Sequence, residues 1–177
     1  FAAIPVTANF VEASSPCDEI VLAYQNGDLF LAEVCTTTGD PVKTPARPKK
    51  IFSLPGGKVD AMFAGDFDGD KHMDLVFNVG PVTHVAFGRG DGTFGGDLGG
   101  GGSAQSSKLT CLDPTVPVPV PLPCQPIAFE ADPHTGGIGR FVISASGVGR
   151  VTKIEHVGDT TQVTYSAVMV NLGAGWT

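Results

Sequence analysis

Ala61-Met62-Phe63 leads into the nine residues Asp66-Phe67-Asp68-Gly69-Asp70-Lys71-His72-Met73-Asp74, and Leu75-Val76-Phe77 follows at once. Two short apolar runs therefore flank a loop whose carboxylates stand at its positions 1, 3, 5 and 9. A hard cation such as Ca²⁺ takes about six to eight oxygens at about 2.3–2.6 Å, from carboxylates and backbone carbonyls on a tightly curled loop. Asp66, Asp68 and Asp70 alternate so as to point inward, and Asp74 closes the shell from the start of the next strand. The backbone carbonyl of His72, at position 7, adds a further oxygen. Gly69 eases the curl because it tolerates positive φ. The competing reading is a solvated acidic turn, since Asp and Gly are common turn formers. Four carboxylates in nine residues would then repel one another with no compensating cation. Mg²⁺ suits the loop less well than Ca²⁺, because it demands strict octahedral geometry and keeps its waters.

The same pattern recurs along the chain. A first segment runs Ala8-Asn9-Phe10, a polar loop, Ile20-Val21-Leu22, a turn at Asn26-Gly27 and a returning strand. The second is the one quoted, continued by a turn near Gly80-Pro81 and a strand from Thr83 to Phe87. The third has Ile127-Ala128-Phe129, a loop, Phe141-Val142-Ile143, a turn at Ser146 to Gly149 and Val151 to Val157. From Phe63 to Leu75 and from Phe129 to Phe141 the interval is 12 residues; from Phe10 to Ile20 it is two shorter. Candidate fourth strands are Lys50 to Leu54, Lys108 to Leu112 and Gln162 to Val170. Three units of about 59 residues, each of four short antiparallel strands, account for the 177 residues, and such units are what propeller blades look like in sequence. The alternative is one irregular β-sandwich whose similar pieces coincide.

Asp66-Phe67-Asp68-Gly69-Asp70 with Asp74-Leu75-Val76, followed by Phe87-Gly88-Arg89-Gly90-Asp91-Gly92-Thr93-Phe94, resembles the FG-GAP/VCBS repeat. That repeat is the calcium-binding blade of integrin-alpha-type β-propellers. The resemblance covers residues 59–96, about a fifth of the chain, and implies that Asp66, Asp68, Asp70 and Asp74 are calcium ligands. Lys71 departs from the pattern, which commonly has Gly there. In the third segment only Asp132 keeps the place of Asp66, while Arg140 takes that of Asp74. The first segment carries Glu12 and Asp18 without the spacing, so a single calcium site is expected. The expected fold is all-β and β-propeller-like, with about three four-stranded antiparallel blades at 1–57, 58–112 and 124–177. Closed propellers have about four to eight blades. A partial propeller, a fragment of a larger one, or copies that complete one another's edges are therefore expected.

Composition narrows the setting. Lys plus Arg is 11 and Asp plus Glu is 18, giving a net charge of −7 and arguing against nucleic-acid or anionic-membrane partners. No run approaches the about 18 apolar residues of a membrane span. Gly at 24 and Pro at 14, without helical periodicity, belong to a turn-rich all-β protein. The chain begins at Phe1 with no signal-peptide pattern, so a processed product or a piece of a longer chain is expected. Cys17 and Cys35 sit almost symmetrically about the Asn26-Gly27 hairpin turn, and Cys111 and Cys124 bracket a Pro-rich loop. Two disulfides and an extracellular or cell-surface location follow, against the alternative of four reduced buried thiols.

Other motifs carry less chemistry. Arg89-Gly90-Asp91 is the tripeptide that adhesion receptors recognise, but it lies in the Gly-rich turn expected of the repeat itself. His72, His84, His134 and His156 are scattered and lack the spacing of a transition-metal site. No nucleophile elbow, phosphate loop, dinucleotide fingerprint or Asn-x-Ser/Thr sequon occurs. Residues 95–123 read as an excursion, Gly/Ser-rich and flexible from Gly95 to Ser107, then Pro-rich and extended from Asp113 to Pro123. The expected function is a secreted, non-catalytic calcium-binding β-propeller module for adhesion or ligand binding, with a protein or carbohydrate ligand. The alternative is a structural subunit of an extracellular fibre or shell, self-assembling through edge strands or the Pro-rich arm.

Overall fold

Buried residues alternate with half-buried ones along β2 (Glu19–Tyr24) and β3 (Asp28–Ala32), so Val21, Ala23, Leu29 and Leu31 line one face of a pleated hairpin. Gly27 makes the turn possible: it holds φ +83, and its N–H donates to the Tyr24 carbonyl at 3.0 Å. Strands β1 (Ala3–Ala8) and β4 (Lys49–Ser53) flank this hairpin in a four-stranded antiparallel sheet of order β1-β2-β3-β4. The computed structural model describes residues 3–11, 17–35, 38–41, 47–54, 57–102, 104–112, 121–131, 138–144 and 147–167. Of these, 121–123, 125–131, 138–144, 147–148 and 167 are described as backbone. Glu12, Asp132, His134 and the Pro-rich stretch 113–120 lie outside the described residues.

The second unit is β5 (Val59–Gly65), β6 (Asp74–Val79) and β7 (Val82–Gly88), antiparallel in chain order. Its fourth position is shared along β7 by β8 (Phe94–Gly95) and β9 (Ser107–Leu112). The third unit is a meander of β10 (Pro121–Ala131), β11 (Ile138–Ser144), β12 (Gly147–Val157) and β13 (Thr160–Ala167). The protein is therefore all-β, in two sheets. The second and third units join through a parallel pairing of β13 with β9. Residues Pro121, Leu122 and Pro123 also pair with Leu112, Cys111 and Thr110, which links β9 to β13 in a ring of pairings. The end of the Pro-rich stretch is thus a strand: Pro121 and Pro123 stand among its opening residues and Pro126 at a register shift, places where a missing N–H costs least.

The second unit is buried on both faces. Leu75, Phe77 and Ala86 pack with Val21, Leu29, Leu31 and Phe52 of the first sheet. On the opposite face Val76, Val85 and Phe87 pack with Leu109, Cys111, Val163 and Tyr165. Strand β6 has no solvent face over Asp74, Leu75, Val76 and Phe77, as its unbroken apolar run after Asp74 requires. Disulfides join Cys17 to Cys35 and Cys111 to Cys124, with Cα atoms 6.1 and 5.6 Å apart. No helix among the described residues is long and apolar enough to cross a membrane.

Ladder ends align the first two units differently from apolar triplets. Ala8 pairs with Glu19 and Gly65 pairs with Asp74, so Asn9-Phe10-Val11 stands where Asp66-Phe67-Asp68 stands. The register that equates Phe10 with Phe63 is off by four residues, and the first loop is two residues longer than the second, not shorter. The error arises because Phe63 lies within β5, whereas Phe10 and Phe67 follow their strands and turn into the core, 2% and 0% exposed.

Candidate metal centre

The acidic loop leaves β5 and enters β6, and its backbone curls around its own carboxylates. Asp66 Oδ1 accepts the Gly69 N–H at 2.6 Å and Oδ2 accepts the Lys71 N–H at 3.0 Å. Asp74 is fully buried; its Oδ2 accepts the Phe67 N–H at 2.6 Å and its Oδ1 the Gly88 N–H at 2.8 Å. Asp68 Oδ1 accepts the Asp70 N–H at 3.2 Å, and Asp68 Oδ2 accepts the Gly99 N–H at 2.7 Å from 31 residues away. The curl needs two left-handed residues, Gly69 at φ +91 and Lys71 at φ +77. Lys71 is the only non-glycine with positive φ among the described residues.

Asp66, Asp68 and Asp74 each bring one carboxylate oxygen to within 4.8 Å of the others. Two oxygens on one Ca²⁺ can be at most about 5.2 Å apart, twice the longest usual bond, so these three can share an ion. Asp70 is not part of that group: it is exposed, and its Oδ1 accepts the His72 N–H at 2.8 Å. The His72 ring rests against Gly90, where a Cβ would lie 2.6 Å from Nδ1. Of the carboxylates read from the sequence, the fold therefore gathers three and leaves one at the rim.

Electrostatics make the cluster costly on its own. Burial pushes the Asp74 carboxyl up to about 8, opposed by the Gly88 N–H and reinforced by the charge of Asp68. Partial desolvation at the rim also raises Asp70, with the His72 N–H opposing and Asp68 and Asp66 adding to the rise. A divalent cation would reverse this balance by favouring every carboxylate in its charged form. The donor set, all oxygen and anionic, fits a hard cation.

Sequence reading missed the outer supports. The described residues of the Gly/Ser-rich stretch are held by backbone hydrogen bonds. Leu98–Gly100 forms a single 3₁₀ turn, the Gly96 N–H donates to the Ala104 carbonyl at 2.7 Å, and the Arg89 Nε donates to the Gly100 carbonyl. Gly95 and Gly100 are buried, and a Cβ on Gly95 would stand 2.1 Å from the Gly100 carbonyl oxygen. The only signal was the density of glycine, which close backbone packing and a linker share. Asp91 of the Arg89-Gly90-Asp91 tripeptide accepts the Thr93 N–H and hydroxyl at 2.9 and 2.5 Å, as a turn residue does. Beside the loop lies an open groove of about 480 Å³, lined by Asp68, Asp70, Leu98, Gly99, Lys153 and Ile154 among others.

The first unit repeats part of this scheme. Glu19, at the place of Asp74, is buried, and its Oε2 accepts the Phe10 and Val11 N–H groups at 2.7 and 3.0 Å. Val11 stands where Asp68 does and its side chain has no ligand atom. Comparison with protein families, curated proteins and solved structures finds no match to the chain.

Proposed function

We propose that this chain is a calcium-stabilised, non-catalytic binding module of the extracellular space, built of propeller-like blades that resemble FG-GAP/VCBS repeats. The observation that carries the reading is the convergence of Asp66, Asp68 and Asp74 oxygens within 4.8 Å on a loop between two buried strands. Two four-stranded meanders flank a three-stranded one whose fourth position β8 and β9 share; this succession, with the middle unit packed on both faces, supports the blade reading. The parallel between Glu19–Phe10 and Asp74–Phe67 supports a repeated unit whose first copy has lost its metal ligands. Two disulfides suit an oxidising compartment. Carboxylates held by backbone N–H groups and an ion make poor proton-transfer groups, which favours binding over catalysis. The groove beside the loop is the surface that ion binding would order, and it is the candidate site for a protein or carbohydrate ligand.

Calcium titration calorimetry and thermal melting test this reading. One bound Ca²⁺ per chain is expected. An ion at one hundred times its Kd adds about 2.7 kcal/mol, so the melting temperature should fall by about 5–10 °C in EGTA. Absence of bound calcium together with an unchanged melting temperature would overturn the proposal. The structural-subunit reading has one observation in its favour: among the described residues β1, β4 and β5 end their sheets with unpaired edges. Light scattering separates the two, since a binding module stays monomeric and a subunit forms large species.

A further inference from the structure

Asp66 and Asp74 are buried, Asp66 held by the N–H groups of Gly69 and Lys71 and Asp74 by those of Phe67 and Gly88, but Asp68 is only half-buried, at the middle of the loop. What directs it from outside the loop is the Gly99 N–H, at 2.7 Å from Oδ2. Gly99 holds φ +65 inside the short turn, so its N–H points as it does only while that turn keeps its shape. The turn is fastened on two sides. Arg89 Nε reaches the Gly100 carbonyl, and His156 Nε2, from β12 of the third unit, lies 2.8 Å from Asp97 Oδ1. Asp97 is also tied into the turn by its own N–H, which donates to the Gly101 carbonyl at 3.2 Å.

We infer that the glycine turn is a clasp through which the third unit sets the metal affinity of the second, with His156 and Asp97 as positioning residues for Asp68. The inference rests on the calcium reading above and adds to it a route from β12 to the site. Groups behind a metal's ligands tune affinity by fixing ligand orientation, and their loss typically costs about 10–100-fold. His156 and Asp97 act one step further out, through the turn, so a loss of about tenfold is expected from breaking their pair.

The test compares calcium affinity by calorimetry, and melting temperature in calcium and in EGTA, for the full chain and for His156→Phe, Asp97→Ala and Asp97→Asn. The first two should bind calcium about tenfold more weakly and show a smaller rise in melting temperature on adding calcium. Asp97→Asn keeps an oxygen for the His156 N–H and should retain near-native affinity. A merely structural contact would lower the melting temperature equally with and without calcium and leave the affinity unchanged. If the unaltered chain binds no calcium, the reading of the site falls and the clasp with it. If it binds calcium and both disruptive variants bind within twofold of it, the clasp alone is overturned.

Discussion

Lys71 holds φ +77 in the acidic loop while its N–H donates to Asp66 Oδ2 at 3.0 Å. An L-residue there costs about 1–2 kcal/mol, and glycine loses about 0.5–1 kcal/mol more chain entropy on folding. Lys71→Gly should therefore stabilise the protein by about 0.5–1 kcal/mol, read as a higher midpoint in urea with an unchanged slope. Glu19 argues differently. Burial raises its pKa above the ordinary 4.5, with the Phe10 and Val11 N–H groups opposing. A carboxyl raised in the folded state favours folding below its unfolded pKa, and that contribution is lost as pH rises through the folded value. Glu19→Gln keeps an acceptor oxygen and removes the charge, so its stability relative to the native chain should improve as pH rises from acid to neutral. Glu19→Ala strands two N–H groups and should cost about 2–4 kcal/mol at neutral pH. Equal pH profiles for the native and Gln chains would contradict the burial argument.

At the scale of elements, β7 ends where the acidic loop returns to the sheet. Gly88 is buried, its N–H serves Asp74, and a Cβ on it would stand 2.2 Å from the Met73 carbonyl oxygen. Gly88→Ala must push the two backbones apart. We expect a loss of about 1–3 kcal/mol in chemical denaturation, together with weaker calcium binding because Asp74 loses its donor. A variant of unchanged stability would mean that the loop and β7 separate freely. Strands and hairpins were legible here because period-two burial and the Asn26-Gly27 turn are local signals. The place of Phe10 was not, because an aromatic inside a strand and one just past it look alike until the ladder ends are known. The close packing of Gly95 and Gly100 was not legible for a related reason: glycine density serves close packing and flexible linkers alike.

On the scale of the whole molecule, the disulfides mark where the sheets depend on covalent closure. Cys111 lies in the core shared by the second and third units, and its bond to Cys124 closes a separation of 13 residues across β9 and β10. Loops of this size gain about 3 kcal/mol by the chain-entropy argument. Replacing both Cys111 and Cys124 with Ser should lower stability by about 2–4 kcal/mol, measured by melting, while far-UV dichroism at low temperature stays native-like. The sequence alone was enough to determine the inner strands of each unit, the cysteine pairs and the spacing of four carboxylates, because turn chemistry, side-chain alternation and short loops act over a few residues. Only the tertiary structure decided that Asp70 stays at the rim, that β9 and β13 pair in parallel, and that Gly99 reaches Asp68 from 31 residues away. Those contacts join segments distant in the chain, where close backbone approach and burial on both faces of the second unit select one arrangement that no local pattern encodes.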